Sequence, residues 1–310
     1  MEIAFGTATR AEARANLVYG PYLTETRPAS IITAVGGACT KLRRRFARPL
    51  RQRQRSVRGR VRDFSRRSRT RLQQTLCAIP IAHVGRGLLF VTLTYPRDYP
   101  GDWQVWKRHL DTMLKRFRRR FPSFAAVWKL EPQKRGAPHY HLLVVGVPFI
   151  AADWLRQSWT AIVGGRVSET GWARVNVQLA RSHKGVVSYA AKYTAKYQAL
   201  PPDWQDGVGR WWGVCNRDGL GIVWKWAPLS DYQYWVAVRV VRQLIAHRAL
   251  RRSRSPPRAC HSGMWAVLED WQALRVAKTV RCIERIGPPH RSREYIGVRS
   301  PDAGYLACNL

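Results

Sequence analysis

Residues 124–147 leave the chain little freedom. FAAVWKLE (124–131) and HYHLLVVGV (139–147) are apolar, β-prone runs, and PQKRGAP between them has the proline, glycine and polar residues of a turn. The spacing predicts an antiparallel hairpin, and the succession Leu142, Leu143, Val144, Val145 reads as a buried strand. Residues i and i+2 of a strand project from one face, so His139 and His141 stand side by side where the strand enters the core. With the turn centred near Arg135, Glu131 lies opposite His139, and cross-strand neighbours on one face sit about 5 Å apart. Glu131, His139 and His141 are therefore expected to converge above the sheet. Two imidazoles and a carboxylate, with positions left for water and substrate, make a candidate divalent-ion site. Mg²⁺ or Mn²⁺ would suit phosphate chemistry there, and Zn²⁺ would bind too. The bland alternative is a hairpin whose surface histidines happen to alternate. His83, His109, His183, His247, His261 and His290 have no such company and read as ordinary.

The rest of the chain fits an α+β domain around this hairpin. GLLFVTLTYP (87–96) reads as a strand stopped by Pro96, and ARVNVQL (173–179) alternates for one buried face. Residues 102–120 place Trp103, Trp106, Leu110, Met113, Leu114 and Phe117 at helical spacing, opposite a strongly basic face that includes Arg118 and Arg119. Further helices are expected over 63–79, with Asp63 as N-cap, over 152–163 and over 184–199. Beyond residue 200 the texture changes to Trp- and Gly-rich loops. A segment at 230–250 reads as helix or strand, and 263–285 reads as an amphipathic helix. The expected division is a basic, flexible N-terminal arm (1–60), a domain with a central antiparallel sheet and flanking helices (61–215), and a mainly helical accessory region (216–310).

Charge narrows the partners. Lys plus Arg number 54 against 19 acids, a formal +35, and the run KLRRRFARPLRQRQRSVRGRVR contributes heavily. Such a surface attracts polyanions, nucleic acid first, by neutralising phosphates and releasing counterions. No stretch approaches the ~20 apolar residues of a membrane span, and no secretory signal is visible. The six cysteines form no CxxC pair, which argues for reduced thiols in a cytoplasmic protein. No GxxxxGK[ST] occurs, so a P-loop ATPase is not expected.

A second group of residues with chemistry lies in SYAAKYTAKY, 188–197. On a helix, Tyr189, Lys192, Tyr193 and Lys196 share one stripe. A phenol titrates near ~10 and is a poor nucleophile unless a cation or metal favours the phenolate. Lys192 and Lys196 are spaced to do that or to hold neighbouring phosphates. The alternative is tyrosines packed in the core while the lysines reach solvent.

FVTLTYP, then E-x7-HYH, then YAAKYTAK, in that order, resemble the rolling-circle replication initiators of bacteriophages and plasmids, the Rep branch of the HUH endonucleases. The resemblance covers about 85–215, and Y-x-x-K-Y-x-x-K matches the two-tyrosine form used by phage initiators. GRWWGV (209–214) is similar to a segment of the replication-associated proteins of filamentous phages, its alternative being plain core packing. The resemblance implies an antiparallel sheet with the histidine motif on a central strand. It implies His139, His141 and Glu131 as metal ligands and Tyr189 as leading nucleophile, with Tyr193 as its partner. Thr92 and Thr94 would be architectural, with possible DNA contact. Tyrosine attack on single-stranded or hairpin origin DNA would leave a 5′-phosphotyrosine and a free 3′-OH. Lys192 would assist, while Lys196, Thr94, Arg118 and Arg119 would hold DNA. The setting would be the cytoplasm of a bacterial host, with its polymerase and helicase as expected partners. A two-tyrosine HUH transposase would show the same motifs. A non-catalytic basic DNA-binding protein is the reading from a different class.

Overall fold

The computed structural model describes residues 29–43, 61, 63–84, 86–164, 174–182, 185–186, 201, 204, 207–250, 263–268 and 270–286. Within them the chain is α+β, with two antiparallel sheets and five α-helices.

The first sheet is built from β3 (Leu88–Thr94), β4 (Ala125–Pro132), β5 (Pro138–Val145), β6 (Val175–Leu179) and β7 (Trp212–Cys215), in the order β6-β3-β5-β4-β7. The apolar run of β5 needs cover on both sides, and the central position supplies it: from Tyr140 to Val145 every residue is buried. The hairpin has the expected register, with Glu131 opposite His139 and Lys129 opposite His141. Its turn is closed by Gln133 N–H donating to Ala137 O at 2.9 Å and Gly136 N–H donating to Gln133 O at 2.9 Å. Gly136 has φ +82°, a left-handed conformation that a side chain would strain. Arg135 then staples the turn to the end of β3, its guanidinium donating to the carbonyls of Tyr95, Pro96 and Arg97 at 2.7–2.8 Å.

The two faces of this sheet differ. Leu89, Val91, Leu93, Tyr140, Leu142 and Val144 pack under α2 (Trp103–Arg120) and α3 (Ala152–Val163) in the largest core cluster. The apolar stripe read from 102–120 is the one that packs: Trp106, Leu110, Met113, Leu114 and Phe117 are all buried. Asp102 caps that helix, accepting from Gln104 N–H at 2.7 Å. On the opposite face Leu88, Val127, Leu143 and Val145 pack with Leu72 and Leu76 of α1 (Arg66–Ala78). The cap of α1 is Ser65, accepting from Ser68 N–H at 3.3 Å, rather than the expected Asp63. Asp63 lies two residues too early for its carboxylate to serve the first turn.

The second sheet corrects three expectations. β1 (Ala29–Ala34) and β2 (Cys39–Arg43) lie inside the segment expected to be a flexible arm, and they are strands. They pair with each other and, outward, with β8 (Trp224–Leu229) and β9 (Gly263–Val267), in the order β8-β1-β2-β9. The accessory region is therefore not mainly helical, and 263–285 is not one helix: β9 precedes α5 (Asp270–Ile286). The segment at 230–250 is helical, as α4 (Asp231–Leu250). Leu42, Leu229 and Ala266 from the sheet bury against Tyr234, Val238 and Val241 of α4 and Val276 of α5. The strands escape a local reading because each outer partner lies far along the chain.

Candidate active site

On the α1 side of the first sheet, the same strands change character along their length. At one level the side chains are Phe90, Leu143 and Val127, which are apolar; the next two levels are polar. One level runs Asn176–Thr92–His141–Lys129–Trp212 across all five strands. The next runs Thr94–His139–Glu131. Strand parity alone puts these side chains on one face.

Within the cluster, the His139 and His141 rings lie edge to face with centroids 4.3 Å apart. His141 Nε2 is 3.5 Å from Glu131 Oε2. The two threonines of the FVTLTYP stretch back the imidazoles: Thr94 Oγ1 lies 2.9 Å from His139 Nδ1 and Thr92 Oγ1 3.3 Å from His141 Nδ1. A hydroxyl can donate or accept, so each threonine fixes its ring whichever tautomer is present. Gln133 Nε2 also approaches His139 Nδ1, at 3.5 Å. With Nδ1 tied in this way, Nε2 of each ring is the atom turned to chemistry, an outer-shell arrangement common behind metal-ligating histidines.

Lys129 was not singled out from the sequence. Its side chain, 8 % exposed, donates from Nζ to Oε1 of Glu131, which is 13 % exposed. Its ammonium also lies 5.2 Å from the centroid of the Phe64 ring. The available signal was parity: Lys129 is two residues before Glu131 and directly opposite His141. Trp212 is the second omission. In GRWWGV, Trp211 is 5 % exposed and packs in the core on the α2 side, while Trp212 sits at the end of the polar row and donates from Nε1 to Ser68 Oγ at 2.9 Å.

Burial would raise the Glu131 carboxyl, but the hydrogen bond with His141 and the Lys129 ammonium outweigh it and draw the group down to about 2. Burial and the adjacent His141 hold His139 down to about 4, with Glu131 opposing them. At neutral pH the pair thus offers an ionised carboxylate and an imidazole with a free lone pair, which are the states a metal ligand needs.

The donor types fit a divalent ion held by His139, His141 and Glu131. Two donor atoms on one ion at ~2.1 Å stand roughly 3.0–3.5 Å apart, and the His141–Glu131 separation of 3.5 Å falls at the edge of that range. Among the described residues, however, no three His, Cys, Asp or Glu side chains already form a metal-holding set. The expected convergence is met in placement and not in closed geometry. Lys129 is one physical reason, since its ammonium occupies the carboxylate that a metal ion would claim.

Of the remaining predicted residues, Arg118 and Arg119 are exposed in the last turn of α2. Arg119 lines a shallow cleft with Arg116, Arg120, Trp154 and Ser158. Tyr189, Lys192, Tyr193 and Lys196 lie outside the described residues, as does the helix expected over 184–199 apart from Gly185 and Val186. Val186, three residues before Tyr189, is buried in the cluster on the site-bearing face of the sheet. His109, read as ordinary, is a partner of the Tyr95 hydroxyl at 3.0 Å. Among the described residues no helix is long and apolar enough to cross a membrane.

No curated protein and no solved structure matches the chain. Residues 88–198 match a family model of replication-associated proteins, the ORF2 family. That span takes in β3 to β6, the polar cluster and the tyrosine stretch, so over this segment the chain is similar to proteins associated with replication.

Proposed function

We propose that this protein initiates rolling-circle DNA replication by cutting and rejoining single-stranded DNA through a covalent tyrosine link. The observation that carries the reading is the cross-strand cluster of Glu131, His139 and His141, with Thr92 and Thr94 set behind the imidazoles. Such a cluster has no packing purpose at the polar end of an otherwise apolar sheet face. The similarity of residues 88–198 to replication-associated proteins supports the same reading.

In this mechanism a tyrosine Oη, from Tyr189 first and Tyr193 in the following round, attacks the scissile phosphorus. The P–O3′ bond breaks, the tyrosine becomes esterified to the 5′-phosphate, and the leaving oxygen takes up a proton to become a 3′-OH. One phosphodiester replaces another, so no ATP is consumed in resealing. Mg²⁺ or Mn²⁺ bound by His139, His141 and Glu131 would withdraw charge from the phosphate oxygens. The chain itself keeps His139 neutral, holds both rings by their Nδ1 atoms and lines the face with Lys129, whose positive charge favours a phosphate. Lys192 and Lys196 are spaced to favour the phenolate or hold adjacent phosphates. Buried Val186 brings the chain toward the tyrosines from the face that bears the histidines. The free 3′-OH primes a host polymerase, and a host helicase opens the duplex ahead of it.

The test is a denaturing gel of the full chain with labelled single-stranded origin-region DNA and Mn²⁺, beside the same reaction in EDTA. A metal-dependent, protease-sensitive shift, lost in a Tyr189→Phe/Tyr193→Phe double variant, is expected. His139→Ala and His141→Ala should each slow cleavage by at least ~100-fold. Equal adduct in EDTA, or in the double tyrosine variant, would refute the mechanism.

A further inference from the structure

The second sheet carries its helices on one face only. Leu42, Leu229 and Ala266 point to α4 and α5, so their strand neighbours point the other way. On that far face one level runs Trp226–Ile32–Lys41–Trp265 straight across the four strands. Arg43, on the same face one level along, is exposed, and Trp226 is 41 % exposed. On the other side of the row, Trp224 lies beneath Lys41, whose Nζ stands 3.8 Å above the ring centroid. Beyond Trp224 the face closes, because Ala34 and Cys39 pack against Cys77 and Ala78 at the end of α1.

Aromatic rings alternating with cations on an open sheet face are poor packing and poor solvation. They are good ligands for one chemistry. Bases stack on indole rings, and the phosphates between them pair with lysine and arginine. Charge complementarity selects the same occupant: ASIITA, CTKLR, WKWAPL and GMWAV contain no acidic residue. Lys41 and Arg43 are also the first members of the arginine-rich run that continues from β2 through residue 60, so β2 anchors that run to this face.

We propose that this face is a second, non-catalytic binding platform for single-stranded nucleic acid, in which bases stack on Trp226 and Trp265 while Lys41 and Arg43 hold the intervening phosphates. It lies outside the segment similar to replication-associated proteins, and it goes beyond the nicking reaction. Its recognition is sequence-tolerant, because every base has a stacking face. Its position on a different sheet from the histidine cluster allows the chain to keep a grip on displaced strand independently of the covalent link.

The experiment is fluorescence anisotropy of a labelled oligothymidylate with the full chain, repeated over a salt series. Trp226→Ala should weaken binding about five- to hundredfold, the usual worth of one stacked base, while Trp226→Phe retains most of the affinity. Lys41→Gln/Arg43→Gln should lessen the slope of log affinity against log salt by about 1.4, for two lost single-strand phosphate contacts. Because Trp226 is partly exposed, its variants should keep the parent melting temperature. Unchanged affinity in Trp226→Ala together with an unchanged salt slope in the double variant would overturn the proposal. So would equal weakening toward duplex and single strand, which would mark a general electrostatic surface. Adduct formation is scored separately: a chain that forms no phosphotyrosine adduct but loses oligothymidylate binding in Trp226→Ala keeps the platform and loses the nicking reaction.

Discussion

The Lys129–Glu131 pair offers a stringent test of the site's electrostatics. Both side chains are nearly buried, and each is the other's principal countercharge. Removing one partner of a buried pair typically costs about 3–5 kcal/mol, because the survivor keeps its desolvation penalty without compensation. Glu131 allows an independent figure. Its carboxyl falls from 4.5 to about 2, and at 1.36 kcal/mol per unit that is about 3 kcal/mol of net stabilisation, shared between His141 and Lys129. The two figures agree in scale. Glu131→Gln and Lys129→Met should therefore each destabilise by about 3 kcal/mol in urea unfolding at pH 7. The double variant, in which neither charge remains, should lose far less than the sum, leaving a coupling of about 2 kcal/mol or more. In a titration with Mn²⁺, Lys129→Met should bind the ion more tightly than the parent, since the competing ammonium is gone. Additivity within ~0.5 kcal/mol would refute the premise that these charges hold each other in the fold. Weaker Mn²⁺ binding by Lys129→Met would refute the competition.

Two further outcomes are expected. His139 titrates near 4 in the fold against 6.5 when free, so only the unfolded chain takes up this proton as pH falls through that window. Stability should therefore decline from pH 6.5 toward 4, by about 2 kcal/mol attributable to this residue, and urea unfolding of His139→Gln should lack that part of the slope. Thr94→Val removes the 2.9 Å partner of His139 Nδ1 and should cost about tenfold or more in Mn²⁺ affinity; Thr92→Val, whose contact is longer at 3.3 Å, should cost less.

What could be read from the sequence was what neighbours in the chain decide. The hairpin declared itself because its apolar run, its turn glycine and its histidine parity all fall within 124–147. The helix at 103–120 did so because its apolar stripe repeats over about five turns. Lys129 escaped because a lysine in a strand is ordinarily read as solvent-facing, and only the pairing with Glu131 and His141 makes it part of a buried cluster. GRWWGV divided as strand parity requires, Trp211 to the core and Trp212 to the polar face, which neither core packing nor function alone would have explained. The second sheet was illegible for a deeper reason. ASIITA and CTKLR are short, and their outer partners begin at Trp224 and Gly263. No local pattern announces a contact between such distant segments.

That long-range pairing also sets a timetable. About 180 residues separate Arg43 from Trp224. At a synthesis rate of ~5–20 residues per second, the β1–β2 pair waits on the order of 10–40 s before either outer strand leaves the ribosome. The strands of the first sheet, ending at Cys215, are all made in that interval. A waiting hairpin with two open edges is an invitation to pair with another nascent copy. Here the next residues after β2 are arginines, and like charges keep such copies apart. The arginine run thus has work to do before any DNA is met, as the guard of a sheet that must close last.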